Sequence, residues 1–265
     1  MKEEKGKYKY GMVIDLDKCT GCGTCVVACA SENNVTVRAD ESDKERSISW
    51  MQVFKFTNGK PFPYTEVCYL PRPCMHCHHN TPCVSVCPVT ATKIDYHTGI
   101  VSQIYPRCIG CRYCQAACPY QARYFNWYDG FSLAKPFSKG MERALSPEVS
   151  VRMRGVVEKC SFCHHRLMRA KNQAYTQGRR EIEEHEYITA CAEACPAQAI
   201  TFGDLNNPGH RVSRLIKDPN AFRLLERLGT QPKVYYLSTR AWVRKMADNF
   251  LPGEFEELTR AARHV

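Results

Sequence analysis

No run of 18 or more apolar residues occurs in the 265-residue sequence, so no segment of it reads as a membrane-spanning helix. The opening MKEEKGKYKYGM lacks the apolar core of a secretion signal, so work outside the cytoplasm would require export with a partner that carries one. Also missing are a glycine-rich phosphate loop, a nucleophile–base triad and an open metal site, which removes the common nucleotide-dependent and hydrolytic chemistries. No nucleic-acid motif accompanies the basic residues.

What the chain has in excess is cysteine, 17 residues in all, within a composition (44% hydrophobic, 24% charged) that can build an ordinary core without disulfide staples. It also carries a formal charge of +10, with 37 basic against 27 acidic residues. That count treats every cysteine as neutral. An iron–sulfur cube held by four thiolates carries about −2, so four of them would bring the loaded chain near +2. The basic excess therefore reads as compensation for buried cluster charge.

Sixteen of the cysteines fall into four groups, leaving only Cys68. The first, CTGCGTCVVAC, holds Cys19, Cys22, Cys25 and Cys29. The second, CMHCHHNTPCVSVCP, holds Cys74, Cys77, Cys83 and Cys87. The third, CIGCRYCQAACP, holds Cys108, Cys111, Cys114 and Cys118. The fourth, CSFC with CAEACP, holds Cys160, Cys163, Cys191 and Cys195. Groups one and three match the bacterial ferredoxin run, in which three cysteines wrap one cubane and the fourth serves a neighbouring cluster. The fourth cysteine is expected at the start of a helix, and helices are expected after the third cysteine of each run. Zinc favours paired knuckles, and disulfides do not bridge cysteines this close in a rigid loop.

The segments around the groups read as an α+β protein made of two ferredoxin-like modules. Residues 12–19 form a strand, 93–104 a strand–turn–strand around His97-Thr98-Gly99, and 199–204 another strand. Residues 47–57 read as a strand whose Trp50 and Phe54 enter the core. Tyr124, Phe125, Trp127 and Tyr128 suit either the core or a partner surface. Residues 129–158 read as a long loop lying on another subunit. Trp242, Val243, Met246, Ala247 and Phe250 recur at helical spacing up to a break at Pro252-Gly253, and Phe255, Leu258 and Ala262 mark a second short helix; both suit partner docking. His76, His78, His79, His164 and His165 crowd two cysteine loops, where they would tune rather than ligate. Cys68 reads as a buried small hydrophobe.

The cysteine groups, PRCIGCRYCQAACPYQARYFNW and EKCSFC with ACAEACPAQAITFGDLNNP and GTQPKVYYL resemble the four-cluster iron–sulfur subunits of the complex iron–sulfur molybdoenzyme family, over about residues 10–237. These include the electron-transfer subunits of polysulfide, tetrathionate and dimethyl sulfoxide reductases. Within the family, the fourth group and the tail look most like the iron–sulfur components of alternative complex III and of the menaquinone reductase complex. The intact third group favours the latter. The resemblance implies that groups one and four form one module (1–46 and 147–212), that groups two and three form a second module inserted in it (47–146), and that 213–265 is a C-terminal helical extension. It also implies the ligand sets. Cys19, Cys22 and Cys25 would join Cys195, and Cys160, Cys163 and Cys191 would join Cys29. Cys74, Cys77 and Cys83 would join Cys118, and Cys108, Cys111 and Cys114 would join Cys87.

Two departures matter. The loop HHNTP between Cys77 and Cys83 is one residue longer than the family's, and must bulge. Cys111 stands where several relatives lack a ligand and hold [3Fe–4S], which implies [4Fe–4S] at all four sites here, with a 3Fe form if the third group loses an iron. The implied function is electron transfer along clusters ordered by groups one, four, two, three. A molybdopterin-type subunit or a multihaem cytochrome c would lie at one end, and an integral membrane subunit with a quinone site at the other, on the periplasmic side of the inner membrane or alternatively its cytoplasmic side. A free soluble polyferredoxin carrier is the competing expectation.

Overall fold

The computed structural model describes residues 7–36, 48–127, 140–250 and 256–257. Tyr128, residues 129–139, the Pro252-Gly253 break and Phe255, Leu258 and Ala262 lie outside them.

The apolar run YGMVID forms β1 (Tyr10–Asp15), buried almost throughout. Met12 and Ile14 enter the main core, while Val13 faces a second small core with Val212 and Leu237. Burial on both faces is what a central strand needs. The cysteine run that follows leads into α1 (Thr24–Glu32). β2 (Gln52–Thr57) and β3 (Val67–Arg72) make an antiparallel hairpin. Next come α2 (Pro82–Ser85), the hairpin β4 (Thr92–Ile94) and β5 (Val101–Gln103), and α3 (Tyr113–Ala116). β6 (Tyr124–Phe125) pairs with β7 (Val157–Glu158), and α4 (His164–Thr176) and α5 (Ala190–Glu193) follow. β8 (Ile200–Asp204), α6 (Arg211–Leu215), β9 (Ala221–Phe222), β10 (Val234–Leu237), α7 (Ala241–Ala247) and β11 (Glu256–Glu257) complete the described chain.

The main sheet has the order β8-β1-β10-β9. β1 runs antiparallel to β8 and parallel to β10. The strand before the first cysteine group is thus hydrogen-bonded to the strand after the fourth. The expected strands at 12–19 and 199–204 are present, as is the 93–104 hairpin.

Helix lengths follow from one residue choice. Pro88, Pro119 and Pro196 come directly after the fourth cysteine, and proline disfavours helical backbone in the residue before it. The helices of those groups span only four residues each. Ala30 follows Cys29 instead, and α1 continues for nine residues. Each of these helices begins one position before the third cysteine rather than after it, and Cys87, Cys118 and Cys195 lie past a helix end rather than at a helix start.

Three further expectations change. The stripe on α7 is not left for a partner: Val243, Ala247 and Phe250 are buried in the main core, with Trp242 and Met246 packed against it. Phe250 meets Phe54 and Phe56 edge-on, at 5.6 and 6.3 Å between ring centroids. Residues 213–240 are not an appendage either, since β10 lies between β1 and β9 in the main sheet. The described part of the 129–158 segment lies on its own chain. Asn34 Nδ2 donates to the Ser146 carbonyl at 2.9 Å, and Arg152 Nη1 and Nη2 donate to the carbonyls of Asn33 and Asn34 at 2.6 and 2.8 Å. Trp50, Phe54 and Tyr124 are core residues, while Phe125 is only partly buried, against a smaller core.

Candidate iron–sulfur centres

The residue before the second cysteine of every group has left-handed backbone: Gly21 (φ 73°), His76 (φ 44°), Gly110 (φ 71°) and Phe162 (φ 54°). Such a turn aims successive backbone N–H groups into one concavity, a cradle for an anion. Glycine is required in two of the four. A Cβ on Gly21 would lie 2.6 Å from the Tyr69 ring, and one on Gly110 would collide with the Gly155 carbonyl. His76 and Phe162 adopt the same backbone with full side chains, a strain of about 1–2 kcal/mol each. Their rings stack on each other, 3.6 Å apart and 15° from parallel, so the second and fourth cysteine loops meet face to face.

A second repeat lies after the fourth cysteine. Thr90, Gln121 and Gln198 are left-handed (φ 51°, 49° and 48°), which turns the chain back on the sulfur. The Ala91 amide then donates to Cys87 Sγ at 3.2 Å and the Ala199 amide to Cys195 Sγ at 3.3 Å. In α1, which has no such turn, the side chain of Asn33 is the donor. Its Nδ2 lies 3.9 Å from Cys29 Sγ and 3.8 Å from Cys163 Sγ. The HHNTP bulge is absorbed by Asn80, also left-handed (φ 42°), with Thr81 Oγ1 bonded back to the Cys77 carbonyl at 3.2 Å.

These turns gather the thiols. Cys19, Cys22, Cys25 and Cys195 line one cavity of about 350 Å³, open on one side. Cys74, Cys77, Cys83 and Cys118 line another of about 330 Å³. Cys29 is surrounded by Cys160, Cys163 and Cys191, whose charges oppose its ionisation. Cys108 and Cys114 share a smaller apolar core with Cys83. Cys87 is held by its own turn and Cys111 stands exposed at its loop tip. Cys68 is buried on β3, its thiol directed at the Tyr69 carbonyl.

Burial pushes the thiols of Cys25, Cys77 and Cys191 up to about 12, and neighbouring cysteines push the same way. Cys22, with the Thr24 hydroxyl 3.3 Å away, is instead held below the ordinary value. Four converging thiols that repel one another once ionised are a donor set for a strongly cationic core. Among the described residues no three His, Cys, Asp or Glu side chains converge on a point the size of one ion. In two of the four sets the cysteines line a cavity instead, as a multi-iron cluster needs.

The environment contains residues that spacing did not single out. His76 is fully buried, with Nδ1 accepting from the Val101 amide at 3.2 Å; burial, then the charges of Lys159 and Lys233, hold it well below the usual imidazole range. It is therefore neutral, whereas His78 and His79 are exposed. The buried Lys159 and Lys233 amines donate to the carbonyls of Val101 and Gly99 respectively. Arg123 is buried beside the second cavity. On the fourth group, Arg166 binds Glu32 through Nε and Nη2 (2.6 and 2.8 Å) and Glu193 at 2.6 Å, while His165 also meets Glu32 at 2.6 Å. The Arg166 side chain is the main reason the Glu32 carboxyl is lowered to about 2.

Residues 10–31 match the family described as 4Fe-4S binding domain, and residues 65–135 the one described as 4Fe-4S dicluster domain. The chain is 59% identical over 250 residues to the iron-sulfur cluster-binding subunit of menaquinone reductase from Nitratidesulfovibrio vulgaris, covering 94% of this chain and 96% of that one. It is 37% identical to a subunit of the selenate reductase of Mesobacillus selenatarsenatis (90% of this chain, 75% of that one). It is 36% identical to iron-sulfur subunit 1 of the Hdr-like menaquinol oxidoreductase of Archaeoglobus fulgidus (88% and 85%). With the thiol-ringed cavities and these matches together, the chain belongs to the family of iron–sulfur cluster-binding, electron-transfer subunits that includes the menaquinone reductase subunit.

Proposed function

We propose that the chain carries four [4Fe–4S] clusters and relays single electrons through them, between a molybdopterin-type or cytochrome c partner and a membrane subunit that reacts with menaquinone. The ligand sets are those the resemblance implies: Cys19, Cys22, Cys25 and Cys195; Cys29, Cys160, Cys163 and Cys191; Cys74, Cys77, Cys83 and Cys118; and Cys87, Cys108, Cys111 and Cys114. They make two modules, groups one with four and two with three, the second inserted in the first. Bound clusters supply reversible one-electron chemistry, with potentials set by their surroundings.

The observation that carries this reading is which thiols lie close enough to act on one another's charge. Cys25 influences Cys29 and Cys191, Cys74 influences Cys160, and Cys83 influences Cys114. Those three links string the sets in the order one, four, two, three. Burial agrees with that order: Cys22 and Cys111, in the two end sets, are exposed, while every cysteine of the second set is buried. Inner centres are shielded from water and the ends are accessible to partners. Exposed Val27 near one end, and Ile109 and Tyr113 at the other, add apolar contact surface. As the family resemblance implies, we place the quinone-reactive subunit at the group-three end, on the periplasmic side of the inner membrane, with this chain exported alongside a partner.

Purification from membranes tests the reading. The chain is expected to co-purify with an integral membrane subunit, to be reduced by the donor and to be reoxidised by a menaquinone analogue. A lone 30.3 kDa iron–sulfur protein without partners would favour the soluble carrier instead. Cys111→Ala is expected to convert one centre to a 3Fe-type EPR signal; an unchanged spectrum would remove Cys111 from the ligand set.

A further inference from the structure

The linings of the first-group and second-group cavities differ in one buried charge. Pro119, Tyr120 and Arg123 after Cys118 line the second-group cavity, and Pro196, Ala197 and Ile200 after Cys195 line the first-group cavity. Arg123 and Ile200 hold the same place relative to the fourth cysteine, so arginine replaces an apolar residue between two otherwise matching sites. Arg123 is 2% exposed. Its Nη1 donates to Thr92 Oγ1 at 3.1 Å and to Gln103 Oε1 at 2.9 Å, both neutral oxygens, and its side chain also reaches the Cys114 thiol. Burial opposes its charge, but a guanidinium keeps its proton, and Cys83, Cys114, Cys74 and Cys118 surround it. These cysteines come from groups two and three together.

The first module has no equivalent. Arg166, beside Cys163, is already paired with Glu32 and Glu193, so its charge is largely cancelled. Lys159 lies beside Cys160, at the junction, and the charge of Lys233, beside Cys77 and Cys74, is opposed by burial.

We propose that Arg123 is a potential-setting residue: an uncancelled buried cation shared by the two centres of the second module, which it holds at higher potential than those of the first, so that electrons run from the group-one end toward the group-three end. This rests on the four-cluster reading above. An electron added to either neighbouring centre increases its negative charge, and a fixed cation in a medium of low dielectric stabilises that added charge. Arginine suits the task because it does not lose its proton.

The test is EPR-monitored redox titration of the purified complex, in wild type, Arg123→Gln, Arg123→Lys and Gln103→Glu. Gln103→Glu keeps the contact with Nη1 but places a carboxylate against the guanidinium, cancelling its charge without emptying its place. Arg123→Gln and Gln103→Glu are expected to lower the equilibrium constant for reduction of both second-module centres at least tenfold, about 59 mV for a one-electron couple. The first-module midpoints stay in place, and Arg123→Lys, whose buried amine loses its proton more readily, falls between wild type and Arg123→Gln. If Gln103→Glu keeps full iron content and moves no midpoint, or moves those of the first module equally, the inference is overturned. A wild-type complex without four titrating centres would overturn the four-cluster reading along with it.

Discussion

Cys160→Ala is expected to stop electron transfer to quinone while leaving the chain folded and the group-one centre reducible by the donor. Cys160 is the cysteine where the modules meet: it belongs to the fourth group, accepts the Phe162 amide at 3.4 Å, and is influenced by Cys74 of the second group. Its loop is fixed against the second loop by the stacked rings of His76 and Phe162. Losing an outer hydrogen-bond partner of a metal ligand typically costs roughly 10- to 100-fold in affinity or activity. If Cys160 is a ligand of an inner centre, its loss should exceed that, because tunnelling falls steeply with distance and the proposed relay has no parallel branch. Cys68→Ala is the control: it removes another buried thiol, outside the proposed ligand sets, and iron content and turnover should hold. Normal quinone reduction in Cys160→Ala would place the second centre off the electron path.

The second large effect concerns stability. Arg152 and Glu158 form an ion pair at 3.0 Å with side chains 1% and 0% exposed. The guanidinium lies over Trp50, 5.0 Å from its centroid, and ties the 150–158 segment to the end of α1 through the Asn33 and Asn34 carbonyls. Arg152→Ala leaves a buried carboxylate without its cation, a loss of about 3–5 kcal/mol. Burial already raises the Glu158 pKa, with Arg152 acting against it. Without Arg152 the folded state holds that proton more tightly than the unfolded state does, so the folded state is favoured as pH falls. The deficit of the variant should therefore narrow on acidification and widen on raising pH, and Glu158→Gln in the Arg152→Ala background should recover part of it. Urea midpoints at two pH values would show this; a deficit independent of pH and of Glu158 would mean that Arg152 acts through packing alone.

The cysteine groups were legible in the sequence because cluster ligation is local: three sulfurs must come from one short loop, and the spacing records it. The hairpin at 93–104 and the strand at 199–204 were legible for the same reason, as short patterns bounded by turn residues. Longer-range features were not. Nothing in VYYL of β10 states that it pairs with β1, which lies more than two hundred residues earlier, so residues 213–240 read as an extension when they are part of the main sheet. The stripe of α7 was visible, but periodicity cannot say whether the apolar face meets a partner or its own core. The left-handed turns at His76 and Phe162 were hidden because no glycine marks them. Arg123 sits in an aromatic stretch that drew attention to its rings, and its meaning appears only when its cavity is set beside that of Ile200.

The most direct measurement is the iron, acid-labile sulfide and zinc content of the purified chain, with Mössbauer spectra to count the centres. Four cubanes require about sixteen irons and as many sulfides per chain. Half that number would contradict one module, and a colourless protein with zinc and no sulfide would contradict cluster binding altogether.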